Sequence, residues 1–151
     1  MELREKYPVA KTYEILDGFD IHRTSAQIFA IVKIFDKIKN RTNIIVTRNN
    51  NLKIDSCEVV NSIEKGILLA KKNGETECFI IGGGQIYKMA LGNNLVDRMY
   101  ITHIEKSFNG DTFFPEIDYS MWGETQLFCN VADKINTINF EVVKYDRLVV
   151  A

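Results

Sequence analysis

The residues most able to do chemistry are Cys78-Phe-Ile-Ile-Gly-Gly-Gly-Gln-Ile-Tyr87, an apolar run that meets three glycines and then a helix-compatible segment. A strand that turns through glycines into a helix brings bare backbone N–H groups to a helix N-terminus. There the macrodipole and the unpaired donors favour an anion such as a pyrophosphate. The pattern differs from G-x-G-x-x-G, because the third position after Gly84 is Tyr87. Glycines at such a junction also serve tight packing, so these residues alone leave both readings open.

The elements around this bend follow from periodicity. Asn43-Ile-Ile-Val-Thr47 is a short β-branched run stopped by Arg48 and three asparagines, which predicts a buried strand and a loop. Cys57–Val60 predicts a second strand. Asn61 with Glu64 makes a capping-box pair for a helix whose Ile63, Ile67 and Ala70 share one face and which Gly74 ends. Cys78–Ile81 is a third strand, Gln85–Leu91 a short helix stopped by Gly92, and Met99–Ile104 a further strand. Glu124–Val131 and Ile138–Tyr145 read as a terminal hairpin joined through residues 132–137. Together these predict an α/β protein with a mainly parallel sheet, flanking helices and an antiparallel C-terminal hairpin.

The first forty residues follow this rhythm less clearly. Lys11–Leu16 reads as a short helix ended near Gly18. Thr24 and Gln27 form a second capping box, and Ile28, Ile31, Val32 and Phe35 recur at helical spacing. The same stretch, Gln27–Val32, also reads as a buried strand, and so short a run does not separate the two.

Composition narrows the class. The 151 residues are 46% apolar and 26% charged with a net charge of −1, which suits one globular domain. No basic tract suggests nucleic acid, no apolar run reaches membrane-spanning length, and the N-terminal Met-Glu-Leu-Arg-Glu-Lys is unlike a secretory signal. Cys57, Cys78 and Cys129 are widely spaced, odd in number and unsuited to a metal site. They predict reduced, mostly buried thiols in a cytoplasmic protein.

Four segments in one order carry a resemblance: Arg41–Asn49, Ile80–Tyr87, Val96-Asp-Arg-Met-Tyr-Ile-Thr-His-Ile104, and Gly110-Asp-Thr-Phe-Phe-Pro115 with Trp122 after it. Together they resemble the second half of a dihydrofolate reductase. The related riboflavin-synthesis reductases share the glycine turn but lack the Gly-Asp-Thr-Phe-Phe-Pro segment. The resemblance implies a single dihydrofolate-reductase-like domain over residues 1–151, matching from 41 to 147 and divergent over 1–40. It implies a soluble enzyme of tetrahydrofolate biosynthesis and one-carbon metabolism, monomeric or homodimeric, with NADPH as cofactor and dihydrofolate or a related pterin as partner.

Position by position, the resemblance assigns Gly82, Gly83 and Gly84, with Gln85 and Ile86, to the NADPH pyrophosphate. Thr47 and Arg48 match residues around the adenosine 2′-phosphate, and Thr12 matches a further cofactor contact. Arg41 matches the arginine that clamps the folate carboxylate. Ile81 and Tyr87 match positions lining the pterin and nicotinamide, and Thr102 matches a threonine at the pterin amino group.

The chain departs from the family before residue 41. The family's first central strand, its Leu-Pro-Trp loop and the helix bearing the pterin carboxylate have no counterpart in the sequence. Tyr7-Pro-Val-Ala-Lys-Thr-Tyr-Glu14 resembles a shortened family stretch without its glycine and arginine. No catalytic residue is therefore assigned, and His22 and His103 receive no role. The absent strand implies a gap in the sheet, for Gln27–Val32 or a second chain to fill. A chain that keeps a nucleotide or folate pocket without turnover is the alternative reading.

Overall fold

The computed structural model describes residues 42–149 except Ser56, Asp111 and Ile135, together with the backbone of Tyr13–Asp17. Two compact units follow one another, residues 1–87 and 88–151.

Among the described residues the first unit is built on four parallel strands: β1 (Tyr13–Asp17), β2 (Asn43–Val46), β3 (Cys57–Val60) and β4 (Cys78–Gly82). Their order is β3-β2-β1-β4. All four residues of β2 are buried, as expected for an inner strand of a parallel sheet covered on both faces. Helix α1 (Ile63–Lys72) lays Ile63, Gly66 and Ala70 inward, and Ala70 joins a cluster with Ile44, Val60, Leu69 and Cys78. Burying a side chain the size of Ile44 contributes roughly 1.5–3 kcal/mol.

Helix α1 starts one residue later than its sequence suggests. Ser62, not Asn61, is the N-cap: its backbone is extended, and its hydroxyl accepts from the Lys65 N–H at 3.2 Å. The far end is as expected. Gly74 takes φ +84°, while Glu75 N–H donates to the Ala70 carbonyl and Gly74 N–H to that of Lys71, a Schellman ending. Helix α2 (Gly84–Gly92) runs through Gly92 instead of stopping before it. Asn94, at φ +54°, supplies the left-handed residue, with Leu95 N–H bonded to the Ala90 carbonyl.

One expected helix is a strand. Residues 11–16 read as helical, yet Tyr13–Asp17 is β1 and pairs with β2 on one side and β4 on the other. Without an N-cap, so short a helix has little to hold it, whereas a strand between two neighbours gains two ladders of hydrogen bonds. The Gln27–Val32 segment and the capping box at Thr24 lie outside the described residues.

The second unit is a three-stranded antiparallel sheet, β5 (Arg98–Ile104), β6 (Trp122–Asn130) and β7 (Phe140–Arg147), in the order β5-β7-β6. Met99, Trp122, Val143 and Tyr145 form its buried cluster. The Arg147 guanidinium lies 4.4 Å from the Trp122 ring centre, and its Nε donates to the Val96 carbonyl at 2.8 Å. The hairpin connection turns without glycine because side chains replace it: Asn136 N–H donates to Asp133 Oδ1, and Ala132 N–H to Asn139 Oδ1.

The parallel strands and the antiparallel hairpin therefore fall in two sheets. Among the described residues β4 pairs only with β1, and β5 only with β7, so each of the two is an edge strand of its sheet. No described helix is long and apolar enough to cross a membrane. The cysteines are free but less buried than expected: Cys57 and Cys78 are half-buried and Cys129 is exposed.

Two predictions follow from this packing. Ile44→Ala should cost about 2–5 kcal/mol and Ser62→Ala about 1 kcal/mol, read as falling urea midpoints. Burial pushes the Cys78 thiol up to about 11 and the Cys57 thiol above its usual value. At pH 8 a thiol-reactive probe should therefore label Cys129 first and Cys78 last, with Cys78 labelling rising only as pH approaches 11.

Candidate functional site

Parallel pairing places the carboxyl ends of β1 to β4 on one edge of the first unit. Ligands of open α/β sheets gather at such edges. Leu16 of β1 is in register with Ile45 of β2 and with Gly82 of β4, so Thr47 and the glycine bend lie at nearly the same height. They are two strand spacings apart, roughly 10 Å.

At the β4 end, Gly82 is buried with φ +125°, a conformation that L side chains rarely adopt, and the Gly82–Gly83 peptide is cis. A Cβ on Gly82 would meet the Tyr87 ring at 3.6 Å, an ordinary contact, so conformation and not space calls for glycine. The first helical bond of α2 runs from Tyr87 N–H to the Gly83 carbonyl at 3.0 Å. The N–H groups of Gly84, Gln85 and Ile86 therefore have no partner within the helix and point out of its first turn. Ile86 is buried, which anchors that turn, while Ile81 is 43% exposed just before the bend. Tyr87 is half-buried, and that burial raises its phenol above the ordinary value.

At the β2 end, Thr47 is buried and its N–H donates to the Val60 carbonyl at 2.9 Å. Its Oγ1 accepts from Asn49 N–H at 3.1 Å, and Asn49 Oδ1 in turn accepts from Asn51 N–H at 3.0 Å. These side-chain turns hold the β2–β3 loop over a cavity of about 470 Å³, lined by Thr47, Asn49, Asn50, Lys53, Asn61 and Lys65 above apolar side chains such as Leu52 and Val59. Arg48 is exposed beside it and is not among the lining residues.

The structure thus brings Thr47, Gly82, Gly83, Gly84, Gln85 and Ile86 to one sheet edge, with Ile81 and Tyr87 flanking the bend. Thr102 is exposed on β5 in the second unit. Thr12 and Arg41 lie outside the described residues. Sequence reasoning missed the cavity residues Lys53, Lys65 and Asn61. One signal was available: Lys65 stands in the first turn of a helix, where a cation opposes the macrodipole.

A parallel sheet with a strand–glycine–helix bend and a polar cavity on one edge defines an α/β protein of the kind whose strand ends receive phosphorylated ligands. The comparisons make the class specific. The dihydrofolate reductase family model matches residues 28–147. The chain is 38% identical to the dihydrofolate reductase of Staphylococcus haemolyticus over 111 residues, covering 74% of this chain and 64% of that one. It is 34% identical to the Bacillus subtilis enzyme over 110 residues, covering 73% and 63%. A dihydrofolate reductase from Enterococcus faecalis, solved with NADP(H) and RAB-propyl, superposes with a TM-score of 0.70 at 28% identity, covering 95% of this chain and 77% of that chain. The chain belongs to the dihydrofolate reductase family, has its fold, and spans just under two thirds of the length of these two sequence relatives.

Gly82→Ala should destabilise the protein by about 1–3 kcal/mol through backbone strain. Gly92→Ala, on a helix with nothing within 4 Å of the added Cβ, should instead be neutral or stabilising by up to about 1 kcal/mol. Thermal melts of the two variants check the contrast.

Proposed function

We propose that this chain is an NADPH-dependent reductase of 7,8-dihydrofolate to tetrahydrofolate, its two units acting as one reductase-like domain. The single observation that carries the reading is the alignment of the glycine bend with the Thr47 strand end. One extended dinucleotide can reach both ends of a roughly 10 Å span.

The donor set fits such a cofactor. The N–H groups of Gly84, Gln85 and Ile86 suit a pyrophosphate, and their alignment with the axis of α2 strengthens them for an anion. The Thr47 hydroxyl accepts one bond and has its own proton left to donate, while Arg48 offers an exposed guanidinium nearby. When bound, the nicotinamide supplies a hydride to the pterin. The chain's own contribution is to hold the dinucleotide along the sheet edge, with Ile81 and Tyr87 presenting apolar surface beside the bend. Thr102 and Arg41 take the pterin and its carboxylate in this reading. No group is assigned to deliver the proton.

A second reading, binding without turnover, has one observation behind it. None of the described residues that match the family's site carries a carboxylate to orient the pterin or support its protonation. The two readings separate in one experiment. With dihydrofolate present, NADPH absorbance should fall with time, and calorimetric titration should show saturable NADPH binding. Binding with unchanged absorbance selects the second reading. Absence of both heat and thermal stabilisation removes the cofactor assignment.

A further inference from the structure

The chain holds two Asn-Gly pairs, Asn73-Gly74 and Asn109-Gly110. We propose that Asn109 is a site of spontaneous covalent modification, losing its side-chain amide through a succinimide, while the end of α1 protects Asn73 from the same reaction. In this chemistry the glycine amide nitrogen, its proton passed to solvent, attacks Cγ of the preceding asparagine. The new N–Cγ bond closes the ring, and the Cγ–Nδ2 bond breaks to release ammonia. One water then opens the ring at either carbonyl and leaves aspartate or isoaspartate. Glycine favours the closure because it puts no side chain beside the attacking nitrogen.

Closure has two structural conditions. The glycine N–H must be unengaged, and rotation about the asparagine ψ must be free to carry that nitrogen round to the side chain. Asn73 meets neither. Its ψ is 6°, so the Gly74 nitrogen eclipses Asn73's own nitrogen and lies away from Cβ. Gly74 N–H donates to the Lys71 carbonyl at 3.0 Å, and Asn73 N–H is shared between the Leu69 and Ala70 carbonyls, both at 3.1 Å. Gly74 sits at φ +84° in the Schellman ending. Ring closure here must first unwind the last turn of α1, which Ala70, at 2% exposure, anchors in the core.

Asn109 meets both. With Ser107, Phe108 and Gly110 it is exposed in the irregular segment that follows β5, where little packing opposes rotation. Among the described residues neither Asn109 nor Gly110 forms a hydrogen bond. Apart from chain neighbours, a Cβ built on Gly110 would meet only the Thr112 carbonyl oxygen, at 3.9 Å, so the attacking nitrogen is uncrowded. The product changes the segment in two ways. Either acid adds a negative charge close to Asp111, in a stretch that already carries Glu105 and Glu116. Isoaspartate also adds a backbone carbon directly before Gly110-Asp-Thr-Phe-Phe-Pro115. Aged molecules thus differ from new ones beside a segment that carries part of the family resemblance.

The test incubates the full chain at mildly alkaline pH, with and without urea. Mass spectrometry of the digested chain then follows the amide-to-acid change in the two peptides. In the folded chain Asn109 should convert at least about tenfold faster than Asn73, because the α1 ending must open before Asn73 reacts. In urea the Asn73 rate should rise to meet that of Asn109. Gly110→Ala, whose Cβ the site accommodates, should slow conversion at Asn109 by about tenfold or more and leave Asn73 unchanged, with a thermal melt to show that the variant folds. Equal rates in the folded chain, or a faster Asn73, would overturn the proposal. So would an Asn109 that reacts only in urea, or an Asn73 that stays slow there, since protection would then not come from α1. Unchanged conversion in Gly110→Ala would exclude attack by the Gly110 nitrogen and overturn it as well.

Discussion

Parallel pairing through β1 is the constraint on which the rest of the first unit depends. A parallel sheet has all its carboxyl ends on one side, and only a strand between β2 and β4 can bring the glycine bend level with Thr47. The bend, the cavity and the start of α1 are otherwise separate local features. Register converts them into one edge. Gly82 then needs its positive φ because the chain must leave that edge and enter α2 at once.

Local signals of capping and turning were legible to within a residue. Gly74 ends α1 where its neighbours suggest, and the strand at Cys57–Val60 has the bounds its composition implies. The capping site moved by one position because Asn61 and Ser62 are both good caps, and only backbone conformation chooses between them. Residues 11–16 show the opposite case. Their pattern was too short to resolve, and pairing with two distant strands decided the outcome. The hairpin turn was visible as a break, but its Asp133 and Asn139 bonds were not, since they join residues several positions apart.

The candidate site divides in the same way. The glycine bend announces itself because its chemistry is consecutive in the chain. The cavity does not, because Thr47, Lys53, Asn61 and Lys65 meet only when the β2–β3 loop folds back over the strand ends. Three consecutive asparagines looked like simple loop composition. Their positions matter through Asn49, which accepts a bond from Asn51 while its own N–H donates to Thr47. The roles proposed for Arg41 and Thr102 rest on the family resemblance alone, because their own surroundings in the sequence point to none.

The two sheets also differ in how far the chain must travel to build them. Strands β6 and β7 are joined through residues 131–139, so their pairing closes a short loop and is local. Strand β1 reaches β4 only across residues 18–77. Loop-closure entropy and contact order make the first event fast and the second slow. During synthesis β1 emerges early yet waits for β4, whereas the hairpin closes soon after its second strand appears. Nascent chains halted between residues 82 and 120 would hold every described strand of the parallel sheet and neither strand of that hairpin, which makes them the length at which the sheet's assembly is seen alone.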